Sequence, residues 1–341
     1  RKMVSLLKIN IKRVALAIML TGAIALGGMV GQADAATETL SGNTVLGGGS
    51  GSTVVNGSGN TINIVTHTLT IDDRQDAAAG SDIFTATTGT LQIQTDTAGQ
   101  DVAHQFASFT ASGTAGNILV KALETGNAAT VTVTVTGAIN TGGAVSLTTT
   151  ETGGTKGNII MSVAGDYAVT GATTLTGAAH AASTVALTLS GSASGAGALV
   201  LDDTAATTGL TSLTLSSTAA QSVTFSKIVG GADTEGRLII NNSHADGATF
   251  TGFIGGDSQN AEDKELDIIT IGSTADLNST AIFQNSVATT LMTLGDGSNT
   301  NTITATFEAQ AAAITMTIAN MEGTAGDAEV VNFLDATADT A

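Results

Sequence analysis

Apolar and small polar residues alternate along much of the chain with a period of two. The clearest run is Thr130–Thr136, in which threonine and valine alternate at seven consecutive positions. Because successive side chains of a β-strand point to opposite faces, this run predicts a strand with valines on one side and threonines on the other. Similar runs predict further strands over Thr61–Ile71, Val145–Thr149, Asn158–Val163, Thr184–Leu189, Ala198–Leu201, Ser212–Leu215, Ser222–Phe225, Arg237–Ile240, Glu265–Ile271, Leu291–Leu294, Thr302–Phe307 and Ile314–Ile318.

The predicted strands recur at a short and nearly constant interval. Between residues 130 and 225 their centres, together with a further one near residue 175, are 11 to 14 residues apart, and turn-forming residues such as Gly142-Gly143 and Asp202-Asp203 lie between them. The segment Asp101–Ser112 breaks this rhythm. There Val102, Phe106 and Phe109 have helical spacing, which predicts a short helix or cap.

The side chains available for a core are small. The chain has 59 threonines and 42 glycines but only nine phenylalanines, one tyrosine and no tryptophan or proline. A closed barrel or a large sandwich needs bulky residues at its centre, whereas the narrow core of a β-solenoid does not. The sequence therefore predicts an all-β fold, an elongated parallel β-solenoid. A series of tandem β-sandwich modules is the alternative, because short strands at regular spacing also fit that architecture.

The amino terminus has the three parts of a secretory signal peptide. Five of the eleven basic residues lie within the first thirteen positions, an apolar run over 14–30 follows, and Ala33-Asp34-Ala35 is a small-x-small cleavage motif. The pattern predicts a signal peptide over 1–35, with a retained membrane anchor as the alternative. We expect a Gly/Ser-rich segment over 36–60 and a β-strand-repeat region over 61–341, with a sub-boundary near residue 225 where charge, Asn and Phe increase.

Charge and composition exclude several classes of protein. Without residues 1–35 the chain keeps six Lys and Arg against 28 Asp and Glu, a formal net charge of −22. Such an acidic chain is a poor ligand for nucleic acid, because that affinity depends on basic residues. The sequence also has no cysteine and none of the common hydrolase or nucleotide-binding motifs. Tyr167 is the one tyrosine that could stack on a sugar, and the four histidines are far apart. We therefore expect a protein that is not an enzyme.

Calcium is the one cofactor that the acidic residues favour. Calcium accepts six to eight oxygen ligands in flexible geometry, so loops rich in Asp and Asn suit it. Asp257, Asp263 and Asp296 lie in predicted loops of this kind and are weak candidate ligands. Gly48-Gly49-Ser50-Gly51 resembles the start of a calcium-binding nonapeptide, but Thr53 occupies the position of its aspartate. A charged surface loop that binds no metal is the alternative interpretation.

The signal-peptide pattern, the Thr/Ala/Gly/Val composition and the tandem strands joined by Gly/Asn/Asp turns resemble those of bacterial β-strand-repeat surface proteins. These include autotransporter passengers, adhesins and surface-layer proteins. The resemblance covers residues 36–341 as composition and rhythm, without a diagnostic motif. It implies an exported structural or adhesive protein, secreted or on the bacterial cell surface, whose partners are other surface components or copies of itself.

Two further expectations follow from this resemblance. The chain does not end in the outer-membrane barrel of an autotransporter, so we expect it to be the amino-terminal passenger part of a longer protein and to meet a membrane only during export or through a carboxy-terminal anchor. The alternative function is a secreted β-helical protein that binds or degrades polysaccharide, which would need carboxylates and aromatic residues clustered on one face.

Overall fold

The chain is all-β, in agreement with the alternation of its sequence. The computed structural model describes residues 37–46, 61–72, 75–76, 82–95, 101–124, 128–151, 157–178, 183–195, 197–203, 210–232, 234–256, 264–273, 277–296, 301–309 and 314–334. These ranges contain 31 strands and no helix, and every strand pairing in them is parallel. The predicted signal peptide and most of the Gly/Ser-rich segment lie outside them. No helix in the described ranges is long and apolar enough to span a membrane.

The strands stack in three parallel ladders, which confirms the predicted β-solenoid. The first ladder is a sheet of twelve described strands. Its members in spatial order are β1 (Thr37–Thr39), β3 (Thr61–Val65), β6 (Ile83–Ala86), β9 (Ser108–Ala111), β12 (Ile139–Thr141), β15 (Tyr167–Val169), β18 (Ala193–Ser194), β21 (Gln221–Val223), β24 (Ala248–Phe250), β27 (Ser279–Phe283), β29 (Thr302–Glu308) and β31 (Ala328–Leu334).

The second and third ladders join into one larger sheet. The second ladder contains β2 (Thr44–Leu46), β4 (Thr68–Asp72), β7 (Thr90–Gln94), β10 (Asn117–Glu124), β13 (Val145–Glu151), β16 (Thr173–Gly177), β19 (Leu199–Asp203), β22 (Lys227–Gly230), β25 (Phe253–Ile254), β28 (Val287–Leu294) and β30 (Met316–Gly323). The third contains β5 (Gln75–Asp76), β8 (Val102–Phe106), β11 (Ala129–Val135), β14 (Gly157–Val163), β17 (Thr184–Leu189), β20 (Leu210–Ser217), β23 (Glu235–Asn242) and β26 (Leu266–Ile271). They meet at β28, which pairs with both β25 and β26.

The core is built from columns of inward side chains, one from each coil. The column of the first ladder passes through Ile62, Phe84, Phe109, Ile139, Tyr167, Ala193, Val223, Phe250, Phe283, Phe307 and Phe333. It contains six of the nine phenylalanines, and all its members before Phe333 are buried. Its steps range from 22 residues (Ile62 to Phe84) to 33 residues (Phe250 to Phe283). Coils of unequal length therefore stay in register because each places an inward side chain at the same position of the column.

Glycines stack on one another at one corner of the coils because the backbones approach too closely for a side chain. A Cβ on Gly143 would lie 2.1 Å from the carbonyl oxygen of Gly116, and one on Gly171 would lie 2.2 Å from that of Gly143. A Cβ on Gly197 would lie 1.9 Å from the carbonyl oxygen of Gly171. The sequence predicts a turn at Gly142-Gly143. The structure shows in addition that Gly143 belongs to a column of stacked glycines in which no side chain fits.

The structure corrects two of the predicted elements. The segment Thr61–Ile71 is two strands rather than one, separated by a turn that starts at Val65, whose φ is 55°. A β-branched residue in this region is strained. The carbonyl of Val65 accepts hydrogen bonds from three consecutive N–H groups, those of residues 87–89, at 2.8–2.9 Å, and these stabilise the turn.

The predicted helix or cap around Val102–Phe109 is also wrong. Val102 and Phe106 are buried in β8, and Phe109 is buried in the next strand, β9. The helical spacing was accidental, because residues 102–106 alternate between buried and half-buried positions with a period of two. Strands continue on both sides of residue 225 in all three ladders.

Candidate functional site

One outward surface of the solenoid consists of uncharged residues in register. Four neighbouring strands of the third ladder, β11, β14, β17 and β20, supply twelve outward positions that form three columns. We call this surface the neutral face. Its members are Thr130, Thr132, Thr134, Asn158, Ile160, Ser162, Thr184, Ala186, Thr188, Leu210, Ser212 and Thr214.

The alternating sequence of these strands places the hydroxyls outward. The inward residues of β11 are a buried alanine and three buried valines, so its threonines lie on the outward side. Eight of the twelve residues carry a hydroxyl group, and each hydroxyl is both a donor and an acceptor. Some of this capacity is used within the face, since Asn158 Oδ1 accepts hydrogen bonds from the N–H and the Oγ1 of Thr184 at 3.1 Å and 2.9 Å. Ile160 adds an apolar centre that is 46% exposed.

The neutral face can bind by hydrogen bonding and surface contact, without ionic attraction. Neighbouring strands are about 4.7–4.9 Å apart and every second residue lies about 6.6–6.8 Å further along a strand, so the hydroxyls form a regular array. Such an array is chemically matched to another flat, neutral and hydroxyl-rich surface. The face ends at β23, where Arg237 is in register with Ser212 and lies 4.0 Å from Asp267.

A second group of polar side chains is buried at the end of β19. Asp202 and Asp203 point to opposite faces, as the strand pattern predicts, but Asp203 is only 9% exposed and does not lie in a solvated turn. Its Oδ1 accepts a hydrogen bond from the Thr211 N–H at 2.7 Å, and its Oδ2 accepts one from the Gly236 N–H at 3.2 Å. Asp203 therefore connects β19 to β20 and β23.

Glu235 joins this group from the neighbouring strand. Its Oε2 accepts hydrogen bonds from the Ala232 N–H at 2.7 Å and from the Asp203 N–H at 3.3 Å, and its residue is 9% exposed. Burial raises the pKa of Asp203 and of Glu235 above their ordinary values, and backbone hydrogen bonds oppose this shift in both. Raised carboxylate pKa values also occur in catalytic acids, but these two carboxylates are engaged by backbone N–H groups. Their geometry is that of a structural corner.

The candidate calcium ligands are not brought together in the described part of the chain. Asp257 and Asp263 lie outside the described residues, whereas Asp296 lies just after β28. The N–H of Asp296 donates a hydrogen bond to Asp327 Oδ2 at 3.2 Å, and the N–H of Asn301 donates to Asp327 Oδ1 at 3.2 Å. Asp327 thus brackets this loop, a role that the sequence did not indicate. Among the described residues, no group of three or more His, Asp or Glu side chains is arranged to hold a metal ion.

Tyr167 and His104, two side chains that could have served a surface site, are buried instead. Tyr167 is fully buried and its hydroxyl lies 2.8 Å from Thr173 Oγ1, so it cannot act as an open platform for a sugar ring. His104 is 5% exposed and lies between Phe84 and Phe106 with ring centroids 6.1 Å and 6.0 Å away. It occupies an inward position in register with Val133, which explains its burial.

These features define the class of protein as a parallel β-solenoid with a neutral outward face. No protein-family model, no curated protein and no solved structure matches the chain.

Proposed function

We propose that this chain is an exported structural or adhesive protein of the cell surface without catalytic activity, and that the neutral face is its contact surface. The observation that carries the proposal is the register of twelve uncharged outward residues across four strands. The overall charge of the chain is strongly negative, so an uncharged surface of this extent allows close approach without electrostatic repulsion.

The sequence supports export independently of this surface. The basic, apolar and small-residue parts of 1–35 are those of a secretory signal peptide. Expression of the full chain in a bacterial host with separation of the secreted fraction tests this proposal. Amino-terminal sequencing of the exported chain is expected to begin at Ala36, and a chain that keeps its apolar run after export would instead indicate a membrane anchor.

The adhesive role is tested by binding of residues 36–341 to insoluble neutral polysaccharides and to fixed bacterial cells, measured by co-sedimentation. The double substitution Thr132→Asp with Thr188→Asp places two charges on the neutral face. A matched control, Thr110→Asp with Ser222→Asp, adds the same charge to exposed positions of the first ladder. We expect the first variant to lose at least about tenfold in affinity, since desolvated unpaired charges are costly at an interface. Equal binding by the two variants would refute the assignment of this face.

The alternative, a secreted β-helical protein that binds or degrades polysaccharide, has one observation in its favour. Asp203 and Glu235 meet at one buried corner, Asp202 lies on the opposite face of β19, and burial raises the pKa of all three. A reducing-end assay over a panel of polysaccharides tests it. Activity that disappears in Glu235→Gln, with the melting temperature unchanged, would favour the enzyme over the adhesive scaffold.

A further inference from the structure

One surface asparagine begins a sequence motif that the proposed function does not use. The motif Asn-x-Ser/Thr is the acceptor of N-linked glycosylation, which takes place at surface positions of exported proteins. The chain contains this motif at Asn56, Asn241 and Asn278. Asn56 lies outside the described residues, and the structure distinguishes clearly between the other two.

Asn278 can carry a group on its amide nitrogen without losing its own contact in the fold. It is exposed and immediately precedes β27. Its Oδ1 accepts a hydrogen bond from the Thr302 N–H at 2.7 Å. Because the oxygen and the nitrogen of an amide lie on different sides of its carbon, Nδ2 is directed away from the Thr302 backbone. A sugar bonded to Nδ2 therefore leaves this hydrogen bond intact.

Asn241 has the opposite arrangement. It is 8% exposed, and its Nδ2 donates a hydrogen bond to Ser273 Oγ at 3.0 Å. Its Oδ1 accepts a hydrogen bond from the Ser273 N–H at 2.8 Å, so both ends of the amide are engaged by the same residue. The second residue of this motif, Asn242, is fully buried. A sugar on Asn241 would break the contact with Ser273 and is incompatible with the fold.

We propose that Asn278 is an N-glycosylation site, an inference that rests on the proposed export of the chain. The amide nitrogen forms a bond with C1 of an oligosaccharide that is carried on a lipid diphosphate. The bond between that carbon and the diphosphate breaks, the diphosphate leaves with the electron pair, and the nitrogen loses one proton. Because β27 belongs to the first ladder and the neutral face to the third, the sugar leaves the neutral face open.

The order of events follows from the strand pairing of the motif. Ser279 and Thr280 pair with two residues of β29, and a Cβ on Gly247 would lie 2.6 Å from the Cβ of Thr280 on the other side. A transferase cannot take hold of a segment that is enclosed in this way, so the sugar is attached before this coil folds. The partner of Ser279 is Ile303, 24 positions later, and long-range parallel pairing is slow. The unfolded exported chain therefore offers the motif for some time.

Peptide mapping by mass spectrometry, applied to the folded protein isolated from the cells that produce it, tests the proposal. We expect the mass of an oligosaccharide on the peptide that contains Asn278 and none on the peptide that contains Asn241. Thr280→Ala removes the motif and keeps the asparagine, so it should abolish the modification, whereas the matched variant Thr280→Ser keeps the motif and should retain it. An unmodified Asn278 would overturn the proposal, and so would a sugar on Asn241 or one that persists in Thr280→Ala.

A replacement of residues 1–35 by an established signal peptide separates this proposal from that of export. This chain leaves the cytoplasm whatever its own amino terminus does. If it acquires the sugar at Asn278 while the natural chain stays inside the cell, the proposed function fails and the glycosylation site stands. If it is exported and remains unmodified, the glycosylation site fails and the proposed function stands. Folded, unmodified protein given the transferase and its lipid-linked oligosaccharide should stay unmodified, and rapid modification would contradict the proposed order of events.

Discussion

Truncation of Phe283 tests whether the aromatic column holds the carboxy-terminal coils together. Phe283 is fully buried, and its ring stacks on Phe250 at 5.2 Å and on Phe307 at 5.3 Å. Replacing a buried phenylalanine by alanine costs about 3–5 kcal/mol, since apolar contact is lost and a cavity remains. Each aromatic pair contributes about 0.5–1.5 kcal/mol beyond area, so the loss of two pairs places the expected cost of Phe283→Ala near the upper part of that range.

Phe333→Ala is the matched control, because it removes the same side chain from the same column. Phe333 is 64% exposed and stacks only on Phe307 among the aromatic residues of the described chain. Most of its apolar area is already in water, so we expect a cost of about 1 kcal/mol, from the single pair that is lost.

The assay is urea unfolding of residues 36–341 followed by circular dichroism, with amide hydrogen exchange to locate the effect. In a solenoid each coil contacts only its neighbours, so protection should fall first in β24, β27 and β29 around the substitution. Equal destabilisation by Phe283→Ala and Phe333→Ala would refute the argument, since burial and stacking would then not determine the contribution of a ring. A loss of protection spread evenly over all coils would contradict the nearest-neighbour account.

Three further predictions follow from the corners, the buried acids and the charge. Gly171→Ala should lower the free energy of unfolding by about 1–3 kcal/mol through overpacking. Gly42→Ala, whose added Cβ meets nothing within 4 Å, should change the free energy of unfolding by less than about 1 kcal/mol. Urea unfolding midpoints compare the two variants. Burial raises the pKa of Asp203 in the folded state, so the free energy of unfolding should increase as pH falls through the window just above the ordinary value of 3.8. Melting curves at several pH values should show a flatter profile for Asp203→Asn than for the unmodified chain. If the acidic loops bind calcium, millimolar calcium should raise the melting temperature more than sodium chloride of equal ionic strength. Equal shifts would mean that both salts only screen the acidic charges and that the loops bind no calcium.

Many strands of the second and third ladders could be predicted from the sequence, although its alternation does not predict β7 or β10 and its spacing predicts a helix in place of β8, whereas most strands of the first ladder could not be predicted. Thr184–Leu189 is a strand with the predicted bounds, because six alternating residues carry a clear period of two. In contrast, β12, β15 and β18 have two or three residues each, too few to show any period. The 12–14-residue rhythm is therefore the interval between strands of the second and third ladders, and a full coil takes about twice that length. The final step of 11 residues ends instead on β21 of the first ladder.

The buried corner at the end of β19 could be predicted from the sequence only as a turn. The sequence Leu199–Asp203 predicts which of its two acids faces inward, but it does not show that β20 and β23 bring backbone N–H groups to Asp203. Those contacts join residues 8 and 33 positions apart, and they depend on the register of neighbouring coils. Since coil length varies from 22 to 33 residues, no fixed repeat in the sequence encodes that register.

The neutrality of the outward face is not imposed by the fold. Outward positions on neighbouring strands accept charge, as Lys121 in β10 and Arg237 in β23 demonstrate, and both strands keep their pairing on either side. Each coil must place apolar side chains in the inward columns and a glycine where its backbone contacts that of the neighbouring coil. A chain with 28 acidic residues after position 35 therefore had room to place some of them on β11, β14, β17 and β20, yet the twelve outward positions of the neutral face carry none. Folding does not require this arrangement, so the proposed contact with another uncharged surface is what the Asp substitutions on the neutral face test directly.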